Sequence, residues 1–132
     1  MFKKDMIQQG SVLFVSDNTG VKKVNCIKVL GSSKKRYARI GDILKISIIC
    51  TNSKKHKKGD IYNSVLVNTK YNLVRPDGTR IRFFKNSVVL LDEKYDLIGT
   101  RILDPLPREL TLIKNGKYTF INKIASLSPE II

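Results

Sequence analysis

The sequence predicts a mainly β domain, a small barrel or sandwich. Two observations predict it. Ile43 to Ile49 alternates, with Leu44, Ile46 and Ile48 on one face and Lys45 and Ser47 on the other, which is the period-two pattern of a half-buried strand. Further short apolar runs follow one another between turn signals, the spacing of an all-β fold. Closing such strands into a barrel removes the exposed edges they would otherwise present.

The elements come in order. Val12 to Val15 is a short apolar run, ended by Asp17-Asn18-Thr19-Gly20, where Gly20 is free to take a left-handed conformation. Val21 to Leu30 resumes strand character until Gly31-Ser32-Ser33. Gly41-Asp42 opens the alternating strand, and the basic loop Lys54-Lys55-His56-Lys57-Lys58 follows it. From Gly59-Asp60 onward, Ile61, Val65 and Val67 alternate with Tyr62, Ser64 and Leu66. Arg75-Pro76-Asp77-Gly78 has the composition of a tight turn, with Pro76 setting the backbone at its second position. Ile81-Arg82-Phe83 and Val88 to Leu91 complete the strands.

The character changes after Gly99. Asp104-Pro105 reads as a helix cap followed by proline at the first helical position, which predicts a short helix to about Leu110. Asn115-Gly116, between Leu112-Ile113 and Tyr118-Thr119-Phe120, is a two-residue hairpin signal. Asn122 to Leu127 reads as one or two helical turns, stopped at Ser128-Pro129. With 132 residues and no linker or repeat, one domain is expected, its β part over roughly 6–98 and its C-terminal part over roughly 99–132.

Charge decides the partner class. Lys and Arg number 25 against 11 Asp and Glu, a net +14, with a pI near 10.0. A compact domain with that charge repels itself. Nucleic acid is the first partner to consider, because neutralised phosphates release counterions. A membrane surface would want a basic amphipathic helix or a lipid anchor, and the sequence offers neither. No apolar run reaches the roughly 18 residues of a membrane span, and no targeting peptide is expected at Met1-Phe2-Lys3-Lys4-Asp5.

The cations form clusters: Lys22-Lys23, Lys34-Lys35-Arg36 with Arg39, Lys54-Lys55, Lys57-Lys58, and Arg80 with Arg82. Any one cluster fits a solubilising surface. All of them together, with few acids interspersed, fit a phosphate-binding surface better. Tyr37 lies inside one cluster and is a candidate to stack on an unpaired base. Phe83 reads as core.

No catalytic constellation is present. His56, the only histidine, sits among four lysines as a solvated loop residue with nothing to orient it as a base. Asp92 and Glu93 adjoin in sequence, so on a strand they point to opposite faces; they read as a strand-end turn. Cys26 and Cys50 lie in apolar alternating stretches and are expected as buried free thiols, although they could pair. One His and two distant Cys make a poor zinc set. No nucleotide-binding glycine loop occurs. The chain is therefore expected to be no enzyme and to need no cofactor or metal.

Val65-Leu66-Val67, Asp77-Gly78, Phe83, Asn86 and Val89-Leu90, in that order and spacing, resemble the signature of the large-subunit ribosomal protein fourteen family. Ser64 stands where the family has Gly or Ala. Family-like segments run along nearly the whole chain: Met6-Ile7-Gln8, Asp17 to Gly20, Cys26 to Gly31, Arg36-Tyr37-Ala38, Gly41-Asp42-Ile43, Lys57 to Asp60, Arg75 to Gly78, Gly99 to Ile102, Arg108-Glu109-Leu110 and Ser126 to Glu130.

The resemblance implies a small five-stranded β-barrel with a projecting β-hairpin and a C-terminal part with short helices. It implies a structural constituent of the large ribosomal subunit that binds large-subunit rRNA and bridges to small-subunit rRNA. It also implies ribosomal proteins three and nineteen as neighbours, and a ribosome-silencing factor that docks on the subunit-facing side. Carried over by position, that face would include Thr100, Arg101, Lys123 and Ser126. The chain departs from bacterial relatives in an N-terminal extension, in a shorter Thr51–Lys58 loop without the usual proline, and in an insertion around Asn115-Gly116. A free single-stranded nucleic-acid-binding barrel is the alternative, and it would need a continuous aromatic platform. Lys outnumbers Arg, and Ile and Asn are abundant, as AT-rich coding produces. An organelle-encoded chain of the mitochondrial matrix is the preferred expectation, with a plastid or an AT-rich bacterium as alternatives.

Overall fold

The computed structural model describes residues 7–30, 37–38, 40–70, 73–74, 76–81, 83, 85–107, 124, 127, 129 and 131. The strands are β1 (Val12–Val15), β2 (Val21–Val29), β3 (Ile43–Thr51), β4 (Ile61–Asn68), β5 (Leu73–Val74), β6 (Arg80–Ile81) and β7 (Ser87–Leu91). Five of them close a barrel in the order β1-β2-β3-β4-β7. All neighbours are antiparallel except β1 and β7, whose parallel pairing completes the closure. The fold class is the expected one, and the five-stranded barrel that the resemblance implies is the one formed.

Alternating positions of all five strands fill the interior, with Leu13, Val24, Cys26, Leu44, Ile46, Ile48, Leu66, Val88 and Leu90 in one buried cluster. β2 departs from simple alternation. Register shifts fall between Val21 and Lys23, between Lys23 and Val24, and between Cys26 and Lys28. Each bulge adds a residue on one strand and re-aims the side chains beyond it. Val21 and Val24 therefore both point inward while Lys22 and Lys23 are both exposed.

β7 and the second part of β4 are buried on both faces. Ser64 through Asn68 and Ser87 through Leu91 are buried without exception. The expected alternation along β4 is thus replaced by a continuous buried run, as in strands covered on two sides. Their outward residues Val65, Val67, Val89 and Leu91 join Ile43, Ile102, Leu106 and Ile124 in a second cluster, so the segment after Gly99 lies back over this wall. Ser64 sits opposite Leu44, and its hydroxyl donates to the Leu44 carbonyl at 3.3 Å, which satisfies the one polar group that the change from Gly or Ala introduces.

β5 and β6 form a separate two-stranded sheet between β4 and β7, with Pro76 to Arg80 exposed. Gly78 takes φ +89°, and Asp77 Oδ1 accepts from Thr79 N and Oγ1. Asn86 ties the base of this hairpin to the barrel. Its side-chain oxygen accepts from Lys70 N at 2.7 Å and its carbonyl accepts from Phe14 N at 2.9 Å. Phe83 is half-buried rather than core.

The helix expected from Asp104 does not begin there. Asp104 Oδ2 accepts from Ser16 Oγ at 3.0 Å, Leu106 bridges in parallel to Ile131, and none of residues 104–107 is helical. Asp104 and Leu106 each precede a proline, a position that disfavours the helical region. Residues 108–110, the Asn115-Gly116 turn and its flanking runs lie outside the described residues. Of Asn122 to Leu127, only Ile124 and Leu127 are described, each as helical.

Two further expectations are corrected. Cys26 is buried, and its thiol is pushed up to about 11 by burial, but Cys50 is exposed. At the end of β3, Ile49 and Cys50 both lie outside the core. His56 is not simply solvated: its Nδ1 lies 2.9 Å from the Tyr62 hydroxyl, and the rings meet edge to face at 5.3 Å. Asp92 does end a strand in a turn, with Oδ1 accepting from Lys94 N and Asp96 N.

Candidate nucleic-acid interface

The Asp17–Gly20 turn organises one end of the barrel. Asp17 is buried; its Oδ1 accepts from Thr19 N and Oγ1, and its Oδ2 accepts from Leu90 N at 3.1 Å. Burial outweighs these hydrogen bonds and raises its carboxyl above the ordinary value. Asp17 also bridges to Ile102, and Leu103 N donates to the Ser16 carbonyl at 2.7 Å. A side chain at Gly99 would meet Asp17 Cβ at 2.9 Å, so only glycine lets the two segments approach this closely.

Asn18 then fixes the exposed pair Thr100 and Arg101. Its Oδ1 accepts from Thr100 N (2.9 Å) and Arg101 N (3.2 Å), and its Nδ2 donates to Thr100 Oγ1 (2.9 Å). Both residues are exposed on this clamp. On the other side, Gly20 takes φ +89°, its carbonyl accepts from Asn52 N at 2.9 Å, and a Cβ there would lie 3.0 Å from Ser53 Cβ. The basic loop is therefore docked on the turn. Gly59 N donates to the Ile48 carbonyl, and Lys57 N to Asp60 Oδ2, to hold its far side.

This end gathers Lys22, Lys23, Lys54, Lys55, Lys57 and Lys58, all exposed. Val21 pairs with Thr51 and Lys23 with Cys50, which is why clusters far apart in sequence become neighbours. Tyr37 is not brought there. It is half-buried beside the Ile7–Ala38 bridge, near the start of β3, and the strand itself spans on the order of 26 Å. Arg80 is exposed on the hairpin. Lys34, Lys35, Arg36, Arg39, Arg82, Lys123 and Ser126 lie outside the described residues.

Cations that the sequence did not single out join the surface. Lys28 and Lys45 are exposed and directly opposite each other across β2 and β3. Like charges so placed are unfavourable unless something neutralises them. Lys85, also not singled out, joins Lys23 over the half-buried Phe14 ring, at 5.3 and 5.6 Å from its centroid respectively. Among the described residues no group of His, Cys, Asp and Glu could hold a metal ion, and no helix is long and apolar enough to cross a membrane.

Residues 6–132 match the family described as Ribosomal protein L14p/L23e. The chain belongs to that family. As an L14p/L23e protein it is a structural component of the large ribosomal subunit and not an enzyme. The L14p/L23e signature residues now have physical roles in this chain: Asn86 joins hairpin to barrel, Gly78 closes the hairpin turn, and Val89 and Leu90 face opposite clusters of a doubly covered strand.

Proposed function

We propose that the barrel end built by the Asp17–Gly20 turn binds large-subunit rRNA. The observation that carries this reading is the gathering of six exposed lysines, Lys22, Lys23, Lys54, Lys55, Lys57 and Lys58, around one docked loop. Toward the opposite end of β2 and β3, the like-charged Lys28–Lys45 pair extends the proposed contact, because a polyanion running on along these strands relieves their repulsion. Arg80 extends the contact along the hairpin. The basic residues of the Lys34–Arg39 cluster, Arg82 and Tyr37 belong to the same proposal at other points of the surface.

The exposed Thr100 and Arg101, with Lys123 and Ser126, form the proposed bridge to small-subunit rRNA and the face for a ribosome-silencing factor. Arg101 supplies charge and Thr100 a short hydrogen-bonding group, both presented by Asn18. Ribosomal proteins three and nineteen are the proposed neighbours. The lysine-rich, isoleucine- and asparagine-rich composition supports a mitochondrial ribosome; recovery with plastid or bacterial ribosomes would reassign it.

The test is binding of the purified chain to its large-subunit rRNA across a salt series. Replacing Lys54, Lys55, Lys57 and Lys58 with Gln should flatten the log–log salt slope by roughly one for each phosphate left without its cation. An unchanged slope, or a chain found only in the ribosome-free pool, would overturn the reading.

A further inference from the structure

Phe14 is an aromatic ring that the barrel end presents among cations. It sits on the outer face of β1, opposite Lys23 in β2, and its backbone N–H donates to Asn86 just past Lys85. Register therefore delivers Lys23 to the ring, and the turn before β7 delivers Lys85. Both ammonium groups lie within the roughly 6 Å that attracts a cation to a ring face, yet each repels the other. The ring borders a cleft of about 460 Å³, within the roughly 300–1,000 Å³ of small-ligand sites. Leu103, 57% exposed, lines the same cleft together with Lys22 and Asn52. The carboxylate in the lining, Asp17, is engaged by Thr19 and Leu90 and is not turned to the lysines.

We infer that this cleft is a binding site for one unpaired nucleotide of rRNA, its base stacked on Phe14 against Leu103 and its phosphate held by Lys23 and Lys85. The inference rests on the rRNA-binding reading above and adds a single-nucleotide subsite to it. The flat apolar surface decides between ligand classes. An acidic peptide would use the two lysines but leave Phe14 and Leu103 without a partner, whereas a nucleotide uses both the π-face and the cations. Lys23 and Lys85, both exposed and long, swing their heads from over the ring to the phosphate as the base takes the ring face.

The test is chemical probing of the rRNA bases in intact large subunits carrying the wild-type chain, Phe14→Leu, Phe14→Tyr or Lys85→Gln. Dimethyl sulfate reads A and C, and a carbodiimide reads G and U. Loss of the stack should raise reactivity about tenfold at one unpaired position in Phe14→Leu, with Phe14→Tyr restoring protection. Lys85→Gln, on an exposed residue, should expose the same position without touching the fold. Unchanged reactivity everywhere in both Phe14→Leu and Lys85→Gln, while the basic loop still protects rRNA, overturns this site alone. A carbodiimide cross-link from Lys23 or Lys85 to a carboxylate of a neighbouring protein assigns the cleft to an acidic peptide and also overturns it. If the wild-type chain protects no rRNA at all, the broader reading falls with it.

Discussion

Asn18 grips Thr100 across 82 residues of sequence, giving and receiving hydrogen bonds at 2.9 Å, and its Oδ1 also accepts from Arg101 N. A turn between the first two strands thus sets the geometry of an exposed pair beyond the last one. The Arg101 side chain itself needs no partner for this, because its position is fixed through its backbone.

Asn18→Ala removes all three hydrogen bonds and leaves exposed donors that water can satisfy. The expected loss of stability is about 1 kcal/mol, with the barrel intact. Subunit joining should weaken although Arg101 is unchanged. Thermal unfolding combined with light scattering of mixed subunits checks both halves; joining at the wild-type level would show that Asn18 does not position the face.

Asp17 gives the chain a pH signature. Burial raises its carboxyl above 3.8, against the pull of Thr19 and Leu90. The folded state therefore keeps this proton to higher pH than the unfolded state does. The stability linked to it is fully present below the unfolded value and is lost as pH rises through the folded one. Asp17→Asn cannot titrate, so the stability of wild type relative to the variant should fall as pH rises above the ordinary carboxylate value of 3.8. Urea unfolding of both chains as pH rises above that value measures it, and a relative stability that climbs with pH would contradict the raised carboxyl.

The cysteines separate by exposure. Cys26 is inside the barrel with its thiol at about 11, while Cys50 is exposed at the end of β3. Maleimide labelling of the folded chain should modify Cys50 alone, and labelling in denaturant should modify both, as read by peptide mass. Modification of Cys26 before unfolding would mean that the barrel opens at β2.

The expectation that both thiols are buried failed for a reason that marks what the sequence could show. Alternation is legible when a strand has one wet face, as with Leu44, Ile46 and Ile48. It says little about where a strand leaves the core, which is what exposes Ile49 and Cys50, or about bulges, which turn Lys22 and Lys23 the same way. The continuous burial of β4 and β7 depends on Ile102, Leu106 and Ile124 folding back, a long-range event. The turns were legible because Gly20, Gly78 and Asp77 act locally. The site was half legible: charge clusters announced a polyanion partner, but only strand register could bring Lys23 to Phe14 or set Lys28 against Lys45. Prolines misled at Asp104, where the motif of a helix start is used to hold Leu106 extended instead.

Arg101→Glu combined with Lys123→Glu tests the proposed bridge. Arg101 is exposed and its side chain supports no part of the core, so the fold and incorporation into the large subunit should survive. The proposed bridge partner is a phosphate backbone, and reversing two charges turns attraction into repulsion at close range. Joining should weaken more at low salt than at high salt, because screening shortens the reach of the new repulsion to about 8 Å at physiological ionic strength. Gradient sedimentation of reassociated subunits at two salt concentrations reads the effect. Loss of joining that is equal at both salts would point to a packing fault, and unchanged joining would remove Arg101 and Lys123 from the bridge.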